Sequence, residues 1–223
     1  MPAAAPENGA SLPGLRPTLA GVQTVGRRSA RLPVAYLALW AGAALLTVSV
    51  LMAGHWVSLP RPAPENRLLA QGLAGLASQA QPTWSMTHVL YADCRCSQRI
   101  FEHLVRRPSP EGTCERVLLV GAADGWERRA LERGIELVHL TQEELEFRFG
   151  IVSAPLLVIS DPSARVRYAG GYTDRKQGLD YVDTRTLAAL RAGGPVESLP
   201  VYGCGVSPDL QAILDPIGIK YGN

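Results

Sequence analysis

Cys94-Arg95-Cys96 is the stretch of this sequence best suited to do chemistry. An apolar–polar alternation from Trp84 to Tyr91 runs directly into it. Helical spacing follows from about Cys96 to Arg107, and Pro108 ends it. A cysteine attacks only as the thiolate. The turn that opens a helix offers unpaired N–H groups and about half a positive charge, and both stabilise that anion. Arg95 adds a cation, which Asp93 opposes. Cys94 is therefore expected to have a lowered pKa, with Cys96 near enough to close a disulfide. One intervening residue brings two Cα atoms to the usual separation of about 4.4–6.8 Å only with backbone strain. Strained disulfides are more oxidising. A Cys94–Cys96 bond should thus be easier to reduce than a C-x-x-C bond in the same place.

Cys114 and Cys204 complete the four cysteines. Cys204 lies in Tyr202-Gly203-Cys204-Gly205, where small neighbours leave it accessible, and Ser207-Pro208-Asp209 reads as a helix start. An even count allows a Cys114–Cys204 disulfide that pins the tail. It equally allows Cys204 to be a third redox thiol exchanging with Cys94 or Cys96. Cys114, in a Gly-containing loop before a strand, reads as structural or idle. A C-x-C pair offers only two soft ligands, which favours redox work over metal binding. Were a metal held, His88 and Met86 would be the first to join the cysteines. His88 shares a face with Trp84, Met86 and Leu90 and reads as a core residue. His103 reads as a surface residue, and Tyr172, Asp174, Arg175 and Lys176 as a solvated loop. No Gly-rich phosphate loop, Ser–His–Asp order or paired-carboxylate motif stands out, and no organic cofactor is expected.

The elements around the pair alternate in period. Strands are predicted over Val117–Val120, Ile135–Leu140, Leu156–Ser160 and Val166–Ala169, the last two joined by the turn Asp161–Ala164. Helices are predicted over Trp126–Arg133, from Thr141 to about Phe149, and over Thr184–Ala192. Thr141 and Glu144 have capping-box spacing. The order β-α-β-α-β-α-β-β-α implies an α/β sandwich with a mixed sheet.

Upstream, Val34 to Gly54 carries no charge and, at about 1.5 Å per residue, spans a hydrocarbon core of about 30 Å. Arg27, Arg28 and Arg31 precede it, which places the N-terminus in the cytoplasm. A cleaved signal peptide would need a shorter apolar run and a small-residue cleavage site. These arginines account for the net charge of +2. The rest is near neutral, with no footprint for nucleic acid. Pro60, Pro62 and Pro64 make a stiff spacer. Glu65–Gln81 places Leu68, Leu69, Leu73 and Leu76 at loosely helical spacing, weakened by Gly72 and Gly75. It is either a short helix packed on the domain or a stalk.

A cysteine pair between the first central strand and the following helix resembles the thioredoxin superfamily. Val152-Ser153-Ala154-Pro155-Leu156-Leu157-Val158 resembles that family's cis-proline loop, and Tyr168-Ala169-Gly170-Gly171 its strand-ending glycines. The match covers roughly residues 84–192. The sequence departs from the family in having C-x-C for C-x-x-C, in lacking the usual aromatic and proline around the pair, and in its tail beyond residue 192. The resemblance implies a thioredoxin-like three-layer sandwich preceded by one transmembrane helix. It also implies roles: Cys94 as the exposed nucleophile, Cys96 as resolving thiol, Pro155 as the cis-proline and Ala154 as backbone partner of an extended substrate. The chain looks most like the tethered periplasmic thioredoxins of bacteria, anchored in the inner membrane and exchanging thiols with envelope proteins. A tethered copper-delivery module for respiratory-complex assembly is the alternative from another class, without a histidine in the expected late position. A non-catalytic adaptor is the third. The expected organisation is a disordered cytoplasmic tail over 1–31, an anchor over 32–56 contacting lipid through 34–54, and a linker over 57–82. A thioredoxin-like domain follows over 83–195, then an extension over 196–223 that carries Cys204.

Overall fold

The computed structural model describes residues 31–56, 58–76, 83–216 and 218–221. The tail expected over 1–31 lies outside them except for Arg31, as do residues 77–82 of the expected linker. The chain divides into two compact units between Ser49 and Val50. Helix α1, Arg31–Trp56, contains the stretch Pro33–Val50 with mean hydropathy 1.7, long and apolar enough to cross a membrane. Its large side chains Val34, Tyr36, Leu39 and Trp40 are all exposed, as those of a lipid-facing helix would be.

The second unit is built on a five-stranded mixed sheet of order β3-β2-β1-β5-β6. Strand β1 is Trp84–Tyr91, β2 Thr113–Val120, β3 Glu136–Leu140, β5 Leu156–Ser160 and β6 Val166–Gly170. Strands β1, β2 and β3 run parallel, whereas β5 is antiparallel to both β1 and β6. Helices α3 (Arg95–Arg106) and α4 (Trp126–Leu131) make the parallel crossovers. Helix α5 is Gln142–Phe149 and α6 is Asp183–Arg191.

Both faces of the sheet are covered, which makes three layers. On one face Met86 and Leu90 meet Ile100, Phe101 and Leu104 of α3 and Leu187 and Leu190 of α6. There the Phe101 and Trp126 rings stack with centroids 3.9 Å apart. On the other face Val89, Leu118 and Val120 meet Leu145 and Phe149 of α5 and Leu69 of α2, Arg67–Ala74. Each fully buried side chain of this size contributes about 1.5–3 kcal/mol. The α/β architecture with a mixed sheet is the one expected, and the Thr141–Glu144 capping box closes as its spacing predicts.

The segment Glu65–Gln81 yields the short packed helix α2. Asn66 caps it by accepting from the Leu68 and Leu69 amides at 2.9 and 3.2 Å. Gly72, which weakens the helix locally, is required globally. A Cβ there would lie 2.5 Å from the Arg148 carbonyl oxygen and 2.6 Å from the Phe149 ring.

Three expectations change. Helix α3 starts at Arg95, with Cys94 as its N-cap, because the turn closes early: the Cys94 amide donates to Tyr91 O at 3.0 Å. Cys114 lies within β2 and not in a loop, since pairing with β1 extends the strand back to Thr113. Tyr172 is buried, not solvated, because its hydroxyl meets His88 Nδ1 at 2.8 Å.

Candidate functional site

Strand β1 and helix α3 fix the cysteine pair. The Tyr91 amide donates to Ser97 Oγ at 3.0 Å and the Gln98 side chain donates to Ala92 O at 3.0 Å, so the turn between strand and helix is tied from both sides. Cys94 therefore caps a twelve-residue helix, and, contrary to the exposed nucleophile expected there, its side chain is fully buried, because it is turned toward the Ala154 carbonyl. Cys96, one residue on, is partly exposed.

Opposite the pair, the Ala154–Pro155 peptide bond is cis. The Ala154 carbonyl oxygen is 3.9 Å from Cys94 Sγ. Ser153–Ala154 forms a short strand, β4, outside the main sheet. Its partner is Cys204–Gly205, β7, running antiparallel with Cys204 opposite Ala154. Pro155 and Cys96 meet at a small pocket of about 40 Å³ lined also by Arg99, Tyr172, Tyr181 and Tyr202.

Glycines let the C-terminal extension approach. A Cβ on Gly171 would lie 2.0 Å from Pro200 O, and one on Gly203 would lie 2.0 Å from Ala154 O. The Gly171 amide donates to Leu199 O at 3.0 Å, and the Val206 amide donates to Val152 O at 2.7 Å. The chain before the domain joins in, with the Leu59 amide donating to Val201 O at 2.9 Å and Ser153 Oγ donating to Pro60 O at 2.6 Å. The glycines after β6 thus have a steric reason here: backbone packs directly on them.

Of the three thiols at this corner, Cys94 is the one shifted toward its anion. Hydrogen bonds from the Cys204 and then the Cys96 thiol hold its pKa far below the ordinary thiol value and outweigh the cost of burial. The Ser97 and Cys96 amides on the first turn of α3 add to this, though neither closes a full capping hydrogen bond. Donating to Cys94, and then burial, pushes the Cys96 and Cys204 thiols up. Arg99 and Lys220 oppose the rise at Cys96 by charge.

The site residues named from the sequence, Cys94, Cys96, Cys204, Ala154 and Pro155, come together at this corner, where Cys204, expected to be accessible, is buried because its strand pairs with β4. Cys114 does not. It faces Ser85 at the start of β1, about 20 Å of strand from Tyr91, and is exposed. Cys204 instead lies opposite Ala154, so the structure does not bring it to Cys114, and no disulfide joins any of the four cysteines. Among the described residues no group of three or more His, Cys, Asp or Glu is arranged to hold a metal ion.

Lys220 and Tyr221 went unnoticed in the sequence. The Tyr221 hydroxyl accepts from the Gly205 amide at 3.0 Å, and Lys220 lies against Cys204 and over the Tyr221 ring. The Asp215 carboxylate gathers the amides of Ile219, Lys220 and Tyr221. That clasp forms only in three dimensions, and neither residue stands in a recognisable pattern.

Beneath this corner lies a second polar cluster. Arg107 bonds both Glu115 and Asp183, the latter at 2.7 Å. His88 Nε2 faces Glu115 at 3.3 Å, and His103 Nε2 faces Asp183 at 3.1 Å. His103, expected at the surface, is drawn into this network with a side chain only 23% exposed. Burial alone would raise the Glu115 carboxyl, but the His88 and Arg107 hydrogen bonds outweigh it and bring it down to about 2. Burial likewise opposes, and His103 and Arg107 overcome, a depressed pKa at Asp183.

No protein-family model and no curated protein matches the sequence. Solved structures similar to it include a hypothetical protein from Sinorhizobium meliloti 1021, at 18% identity and TM-score 0.45, covering 56% of this chain and 80% of that one. An uncharacterized conserved protein from Geobacillus kaustophilus is similar at 19% identity and TM-score 0.46, covering 57% and 79%. The thioredoxin domain of a thiol-disulfide oxidoreductase from Bacteroides vulgatus is similar at 14% identity and TM-score 0.31, covering 39% and 68%.

Proposed function

We propose that this protein is a thiol–disulfide exchange protein tethered by α1 to the bacterial inner membrane, with its folded domain in the periplasm. The observation that carries the reading is that Cys94 and Cys96 at one helix start face the cis Ala154–Pro155 bond, with Cys204 paired opposite Ala154. Cys94 is the favoured anion, and Cys96 and Cys204 both lie against it. In the forward direction the Cys94 thiolate attacks one sulfur of a partner disulfide. The partner S–S bond breaks, its other sulfur leaves as a thiolate, and Cys94 is joined to the partner. The Cys96 thiolate then attacks the Cys94 sulfur. A Cys94–Cys96 disulfide forms, and the partner departs reduced by two electrons. A dithiol of the envelope returns the pair to its reduced form, and an oxidising partner drives the cycle in reverse. Cys204 exchanges with the same Cys94 sulfur. The anchor role of α1 rests on its apolar length, and the orientation on Arg27, Arg28 and Arg31 before it.

The test is insulin reduction by the full chain in detergent, with dithiothreitol as the final reductant. Wild type should accelerate reduction, and Cys94→Ser should abolish the acceleration. Equal rates for the two proteins would exclude Cys94 as the nucleophile.

A further inference from the structure

Strand β4 is an edge that the protein fills with itself. Any strand edge presents N–H and C=O groups that an extended chain can pair with. Gly205 and Cys204 supply that pairing to Ser153 and Ala154, and among the described residues no other strand does. The result places a cysteine of an extended segment opposite Ala154, whose carbonyl oxygen is 3.9 Å from Cys94 Sγ, an arrangement suited to thiol exchange with a visiting polypeptide. The filling segment, with Cys204 and Gly205 buried against β4, runs between two anchors. Val201 and Val206 are fully buried, whereas α7 (Pro208–Leu214), which follows, buries no residue. Between the anchors the segment is secured by the Gln211 side chain, which donates to Gly205 O and Val206 O at 3.1 and 3.3 Å, and by the Tyr221 hydroxyl. Lifting Tyr202–Gly205 would break this ladder and these side-chain bonds while leaving Val201 and Val206 in place.

We infer that Tyr202–Gly205 is a built-in stand-in for the partner, which pairs with Ser153–Ala154 in its place and brings a Gly–Cys pair to the positions of Gly203 and Cys204. This rests on the exchange reading above and adds to it a substrate class, an extended polypeptide whose cysteine follows a glycine. Steric room sets the preference. A side chain before the cysteine would meet Ala154 O at 2.0 Å and Pro155 Cδ at 2.6 Å, and only glycine avoids both. Partner and Cys204 then exclude one another. After the partner leaves, Cys204 returns and its thiolate attacks the Cys94 sulfur. That exchange makes Cys94–Cys204 and frees the Cys96 thiol, with no net oxidation.

The test uses the full chain with Cys96→Ser, so that mixed disulfides persist, and with Cys114→Ser, so that the exposed Cys114 thiol does not react with the probe. Two synthetic peptides, identical except for Gly or Val before their single cysteine, are each supplied as the mixed disulfide with thionitrobenzoate. Release of thionitrobenzoate reports attack by Cys94, and mass mapping confirms the bond. The Gly peptide should react about tenfold faster or more, equivalent to about 1.4 kcal/mol. Tyr221→Phe and Gln211→Ala, which loosen the stand-in without touching the core, should each raise the rate with the Gly peptide. Equal rates for the two peptides, or no change in the loosened variants, would overturn the inference and leave the exchange reading intact, provided Cys94 still reacts with glutathione disulfide. Failure of Cys94 to react with any disulfide would instead remove the exchange reading itself.

Discussion

Two polar clusters lie one above the other in this domain, and they are built on opposite terms. In the lower one, Arg107 is bonded to Glu115 and Asp183, and His88 and His103 complete their carboxylates. No buried side-chain nitrogen or oxygen among the described residues lacks a partner. In the upper one, three thiols crowd a helix start and Cys94 is the one shifted toward its anion. A network whose charges are all paired is fixed in its protonation and geometry. A group of sulfurs whose charge can pass from one to another is suited to exchange bonds. The clusters touch through Tyr172, whose hydroxyl meets His88 at 2.8 Å while its ring lines the pocket beside Cys96. The lower cluster thus supports the floor of the upper one without entering its chemistry.

Separate substitutions should split the two. The largest stability effect is expected from Arg107→Met, which leaves two buried carboxylates without their cation. It should cost about 3–5 kcal/mol in chemical denaturation, while exchange per folded molecule is retained. A matching loss of specific exchange rate would show that the clusters are one functional unit.

Acid should act on the lower cluster in the same sense. Glu115 has a folded pKa of about 2, below an unfolded value of about 4.3. Its contribution is complete above the unfolded pKa and is lost as pH falls through the folded one. The stability lost between neutral pH and pH of about 2 should be up to about 3 kcal/mol from this residue. Denaturation midpoints of wild type and Glu115→Gln across that range check it: the variant should show the shallower acid decline.

Tyr172→Phe removes one link between the clusters, beside the Tyr181 ring that packs on His103 and lines the same pocket, and strands a ring nitrogen of His88. A cost of about 1–3 kcal/mol is expected, with exchange kinetics unchanged in stopped-flow assays. The smallest effect on stability is expected from Cys204→Ala, which instead changes the upper cluster's titration. It takes away the leading donor to Cys94, so the Cys94 pKa should rise. The acid limb of its reaction with glutathione disulfide should then move to higher pH.

The sequence carried the first half of this site well, because its parts are local. Cys94 and Cys96 stand where a period-two run meets a helical one, and Ala154-Pro155 opens an apolar strand. Local pattern also sufficed for the Thr141 cap. What it did not carry depends on long-range approach. Gly72 reads as a flaw in a helix until Phe149 is placed against it. His103 and Tyr172 read as surface residues because their partners, Asp183 and His88, are about eighty residues away in the chain. The position of Cys204 rests on a two-residue ladder and on glycines 171 and 203, and spacing could not choose between Cys114 and Cys94 as its neighbour.

Disulfide mapping of the full chain in native membranes, after brief mild oxidation and alkylation of the remaining thiols, tests the shared-sulfur site most directly. Cys94 should be found bonded to Cys96 in some molecules and to Cys204 in others, with Cys114 always alkylated. A Cys114–Cys204 bond, or Cys94 alkylated under every condition, would contradict it.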